Sequence, residues 1–200
     1  MLNPAIEWMK TQTSEYKHVK AIFLALIASY GLEAIRFMVS FCTSLGMLEN
    51  KIFVGNGNII KLILADERLH TTATAWQINT VIKTDPRFAQ VAFELKDTVR
   101  EMLLSVIAEE KAWAKHQFSK GTVLGLTEQI MCNQVDWAAQ ESFKEIGVKY
   151  DAGVKSAPLP WMNRYLNTNK TQTALQENES VDYVLAAMTS EVHYDQLPQI

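Results

Sequence analysis

The sequence predicts an all-α protein, and three observations carry that reading. Apolar residues recur at three- and four-residue intervals along most of the 200 positions, no run alternates apolar with polar residues as a half-buried strand would, and no internal repeat or low-complexity tract appears. Two hundred residues are enough for one domain with a substantial core and no disulfides. A net charge of -3, with 20% charged and 48% apolar residues, leaves no basic footprint for nucleic acid, so partners must be recognised through sites. Cys42 and Cys132 lie in apolar helical surroundings without zinc-ligand spacing, which predicts reduced core thiols of a cytoplasmic protein.

From Glu15 to about Met47 the apolar residues are nearly continuous, which predicts one long helix covered on most sides. The stretch "AIFLALIASYGLEAIRFMVSF", residues 21 to 41, is long enough for a bilayer, but Glu33 and Arg36 fall near its middle, so it is expected to be buried in protein rather than lipid. No secretory signal is visible at "MLNPAIEWMK". Gly55 and Gly57 in "LENKIFVGNGN" predict a turn with Asn58 as a cap, and a second helix from about 58 to 83. Asp85 and Pro86 open a third, whose stripe of Phe88, Val91, Ala92, Leu95, Val99, Leu103, Val106 and Ile107 continues toward Phe118 and stops at Gly121. Thr127 caps a fourth that ends near Ile146. This gives residues 1–150 as the helical unit, 151–180 as an ordered loop becoming a linker, and 181–200 as a short apolar and acidic tail.

The stretch "ADERLH", residues 65 to 70, places three ionisable side chains in an otherwise apolar helix. Burying them unpaired is expensive, so either that face meets water or something compensates them. Glu67 and His70 are three apart, hence on one helix face, and an ExxH pair is half of the ligand set with which helical bundles hold two carboxylate-bridged metals. A neighbouring helix must add a further acid. Glu33 is available: folding the first two helices back on each other puts Glu33 and Glu67 roughly 21 and 15 Å from the bend, a mismatch of about one turn. Glu15 and His18 show the same spacing, but among Ser14, Lys17 and Lys20 they mark a solvated helix start. His116, behind Glu109, Glu110, Lys111 and Lys115, is expected on a surface helix, and His193 in the solvated tail. No nucleophile-elbow, P-loop or dinucleotide fingerprint occurs.

Five blocks, "LEAIRFMVSF" (32–41), "GNGNIIKLILADERLH" (55–70), "EEKAWAKHQFSKG" (109–121), "PLPWMNRYLN" (158–167) and "VDYVLAAMTSEV" (181–192), together resemble the small, radical-generating subunit of class I ribonucleotide reductase in order and spacing. The resemblance implies the second half of a ferritin-like bundle in which Glu33, Glu67 and His70 are ligands of a dinuclear metal centre, usually iron. Manganese or a mixed pair suits the same donors. It further implies that Phe37, Phe41 and Ile63 form an apolar wall beside the metals, a dry setting that protects a strong oxidant. Asp66 matches the acid on the proton-coupled electron-transfer route, Tyr183 the tail tyrosine that passes the radical to the large subunit, and the last residues the segment that docks there.

The family's small subunit is about twice as long, and the helices with the other Asp, Glu and His ligands, the radical-storing tyrosine and the tryptophan partner of Asp66 have no counterpart here. The expectation is therefore a split gene, with a separate polypeptide supplying the amino-terminal half through an apolar interface and the assembly as a dimer. Two other arrangements stay open. A homodimer would bring two Glu and two ExxH pairs, a full ligand set for a symmetric di-metal oxidase or metal-handling protein. An inactive chain that keeps only its tail would serve as a docking module for the large subunit.

Overall fold

The computed structural model describes residues 14–166. The architecture is all-α, with no strand among the described residues, and has the ferritin-like pattern of long neighbouring helices. Helix α1 (Ser14–Gly31) runs into a wide π-helical turn, Leu32–Arg36, and then α2 (Met38–Glu49). A tight reversal leads to α3 (Val54–Thr84), followed by α4 (Pro86–Glu94), α5 (Lys96–Gln117) and α6 (Glu128–Glu145). A 3-10 turn at Pro160–Met162 and the short α7 (Asn163–Leu166) complete the described part.

The single first helix expected from the sequence is thus two helices joined by a π turn. The buried stripe records it: fully buried positions step by three or four through Phe23, Ile27 and Tyr30, jump five to Ile35, and resume at Val39, Cys42 and Leu45. A π turn inserts one extra residue, which rotates everything after it to a new face. By length and composition Glu15–Glu49 would pass for a membrane span, yet its apolar side chains form the core against α3, α5 and α6.

Gly55 and Gly57 do not make the turn; α3 begins at Val54 and contains both. The reversal is made instead by Lys51 and Phe53, both in the left-handed region at φ 58° and 51°. Gly57 is buried because α2 and α3 cross there: a Cβ at this position would lie 2.6 Å from Leu48 Cβ, an atom fixed to the backbone. Gly57→Ala is therefore expected to force the two helices apart and lower stability by about 2 kcal/mol, measurable by urea unfolding.

The expected third helix is divided at Leu95, whose φ of -96° and ψ of 11° end α4 and start α5. Asp85 caps α4, accepting from Arg87 N–H at 2.9 Å. The Thr127 hydroxyl accepts from Ile130 N–H at 3.2 Å to cap α6. Removing that cap with Thr127→Ala should cost about 1 kcal/mol in the same unfolding measurement.

The segment after α6 is tied down by two buried amides. Gln140 Oε1 accepts from Ala152 N–H at 2.8 Å, and Gln134 Oε1 accepts from Leu159 N–H at 3.2 Å. Leu159 and Met162 thereby join the core, and α7 reaches α3. The expected tail, 181–200, lies outside the described residues, as does the end of the expected linker.

Candidate metal centre

The π turn brings Glu33 to the flank of α3, one turn after the Ser29 hydroxyl and beside buried Ala34 and Ile35. On α3, Glu67 and His70 share a face, and one ligand atom from each of Glu33, Glu67 and His70 lies within 4.8 Å of the others. His70 Nδ1 is 3.3 Å from Glu67 Oε2. Three donors on two helices therefore converge on one small volume, as the spacing argument required.

Two hydroxyls that the sequence did not single out orient Glu33. Ser29 donates to Oε1 at 3.2 Å and Thr74 to Oε2 at 3.4 Å. Both follow from helical arithmetic, since Ser29 is four residues before Glu33 and Thr74 four after His70, on the ligand face. Thr71 lends its hydroxyl to the Glu67 carbonyl at 2.7 Å.

A cavity of about 350 Å³ opens beside the cluster, lined by Glu33, Phe37, Phe41 and Glu67 from the first helices and by Glu141 and Glu145 from α6. Arg68 reaches across it, 3.9 Å from Glu145. Phe41 is buried, and its ring meets that of Phe37 edge-on with centroids 6.1 Å apart. Phe37 is 46% exposed and Ile63 41% exposed, and Ile63 stands one turn before Glu67 without lining the cavity. His70 is 55% exposed and Glu67 22%, so the cluster faces outward on one side. Asp66 is exposed on the same helix, and Tyr183 lies outside the described residues.

Glu110 departs from its expected place on a solvated face: it is 2% exposed. Its Oε1 accepts from the backbone N–H of Val39 at 2.8 Å. Burial pushes its carboxyl up to about 7, with the Val39 N–H and the Arg36 charge opposing the shift. Beside it, Glu109 pairs with Arg36, and the exposed Trp113 ring stacks on His116. Cys42 is fully buried and Cys132 partly so; both are free, and burial raises both thiols. The second ExxH pair, Glu15 and His18, sits exposed at the start of α1, where Glu15 pairs with Arg87.

Two carboxylates and an imidazole suit a divalent first-row metal such as iron or manganese. The residues fit such an ion: Glu33 is held by hydroxyls at both oxygens, which leaves its remaining lone pairs for coordination. Three donors leave coordination positions open, and two metals need more donors than these.

A family model described as "Ribonucleotide reductase, small chain" matches residues 2–151. Among curated proteins, the chain is 34% identical over 180 residues to a protein of Salmonella typhimurium named "Ribonucleoside-diphosphate reductase 1 subunit beta", covering 89% of this chain and 48% of that one. A protein of the same name from Escherichia coli O157:H7 is 34% identical over 191 residues, covering 94% and 51%. The "Ribonucleoside-diphosphate reductase subunit beta" of Enterobacteria phage T4 is 34% identical over 180 residues, covering 87% and 46%. The chain thus spans about half the length of the curated relatives it matches.

Proposed function

Because the chain belongs to the ribonucleotide reductase small-chain family, we propose that it forms part of the small subunit of a class I ribonucleoside-diphosphate reductase, supplying half of a dinuclear metal site and the radical-transfer tail. The observation that carries this reading is the convergence of Glu33, Glu67 and His70 within 4.8 Å. The remaining ligands come from polypeptide outside these 200 residues. That polypeptide covers the exposed side of the cluster and, with the large subunit, completes a dimeric cytoplasmic assembly that converts ribonucleotides to deoxyribonucleotides.

When bound, the metal pair, iron or alternatively manganese or one of each, supplies one-electron oxidising chemistry with dioxygen. The residues of this chain prepare the setting. Ser29 and Thr74 fix the orientation of Glu33, so that its carboxylate need not reorganise on binding. Phe37, Phe41 and Ile63 exclude water once the open side is covered. Asp66, next to the ligand Glu67, links the metal site to the proton-coupled electron-transfer route, and Tyr183 carries the radical toward the large subunit, on which the last residues dock.

Co-expression with a polypeptide bearing the missing ligands, followed by metal analysis and radical spectroscopy, tests the reading. Stoichiometric co-purification with metal and a radical signal is the expected result. A metal-loaded homodimer of this chain in isolation would instead favour the symmetric di-metal protein, and binding to the large subunit without any metal would favour the docking module.

A further inference from the structure

The wide turn that carries Glu33 has a structural deficit. A helix start leaves its first four N–H groups without partners in the helix, and here Met38 and Val39 of that first turn are buried, where water cannot supply theirs. Val39 is the second residue of α2 and is itself 0% exposed. Its N–H finds Glu110 Oε1 at 2.8 Å, from α5.

Two more side chains of α5 grip the same junction. Glu109 pairs with Arg36, the last residue of the π turn, and Trp113 Nε1 donates to Ser40 Oγ at 3.1 Å. At the other end of the turn, Gly31 lies against α5 so closely that an added Cβ would be 3.3 Å from Val106 and 3.4 Å from Leu103. The π turn is thus bracketed on both sides by α5, which contributes no ligand.

We propose that Glu110 is a positioning residue for the metal centre: by capping α2 at the Val39 N–H it holds the π turn in place and so sets the height and orientation at which Glu33 meets Glu67 and His70. Without an acceptor there, the buried N–H is best satisfied by converting the π turn to regular α-helix. That slip of one residue would rotate Glu33 by roughly 100° relative to α2 and its Phe41 wall. Glu110 touches no ligand and acts only through the backbone. The inference rests on the metal-site reading proposed above and extends it to α5.

The test uses the full 200-residue chain titrated with manganous ion followed by EPR, together with hydrogen exchange at individual amides. Glu110→Gln keeps the acceptor oxygen and is expected to bind manganese within about twofold of wild type, whereas Glu110→Leu, of similar volume but without an acceptor, should bind about tenfold more weakly. In the leucine variant the Val39 amide should also exchange far faster, with the α3 amides around Glu67 unchanged. Wild-type manganese affinity in a folded Glu110→Leu chain would overturn the proposal. Should that variant not fold, the wild-type chain still decides: a Val39 amide that exchanges as freely as an exposed one would overturn it too. Failure of the metal-site reading looks different, since the wild-type chain would then bind no manganese at all.

Discussion

Glu67→Ala combined with His70→Ala is expected to reduce manganous ion bound to the chain at least about tenfold, and to abolish turnover of the reductase assembly proposed above. The two substitutions remove two of the three donors that lie within 4.8 Å of one another. What remains is Glu33, a single carboxylate whose two oxygens already accept from Ser29 and Thr74, and one carboxylate in contact with water holds a divalent ion poorly. The fold should survive, because the His70 side chain is 55% exposed and Glu67 contributes to no core cluster. Circular dichroism melting therefore serves as the control. Unchanged metal content in a folded double variant would remove Glu67 and His70 from the ligand set.

Glu110→Gln is expected to make the chain more stable above pH 7 and to leave stability near pH 4.5 unchanged. Burial raises the Glu110 carboxyl from its ordinary 4.5 to about 7, so the folded chain keeps this proton over a range in which the unfolded chain has lost it. Stability then falls as pH rises from 4.5 to 7 and levels off above, by on the order of 3 kcal/mol for a shift of this size. The groups facing Glu110 limit the effect without reversing it. The Val39 N–H and the Arg36 charge favour ionisation, Glu109 partly neutralises Arg36, and the Cys42 thiol stays protonated beside it. Gln has no proton to lose, so its pH profile should lack the decline. Urea unfolding of both chains between pH 4.5 and 8 gives the comparison, and parallel profiles would contradict the burial argument.

The sequence made the cluster of Glu33, Glu67 and His70 legible because two constraints coincided: helical spacing put Glu67 and His70 on one face, and distances from a reversal that agree to about one turn put Glu33 opposite. The helix order and the caps at Asp85 and Thr127 were legible for similar local reasons. The π turn was not. Between Tyr30 and Leu45 the further apolar residues Leu32, Ala34, Phe37, Met38 and Phe41 fill the gaps of the buried stripe, so a stripe stepping by five reads the same as one stepping by four. Gly55 and Gly57 misled for the opposite reason, since glycine usually marks a turn, whereas Gly57 serves a close helix crossing that only tertiary structure creates. The break at Leu95 carries neither glycine nor proline. Glu110 hid inside "EEKAWAK", where neighbouring charges suggest water, although its burial is explained by a single backbone N–H on another helix.

Phe37 and Ile63 stand half-bare next to three cation donors. On the metal-site reading, a surface that mates with that greasy rim would also close the coordination sphere, so hiding the two side chains and retaining the metal would become one event. The rim would then act as an assembly checkpoint: a solitary chain would hold its ion weakly and in ready exchange with solvent, and a correctly mated one would retain it.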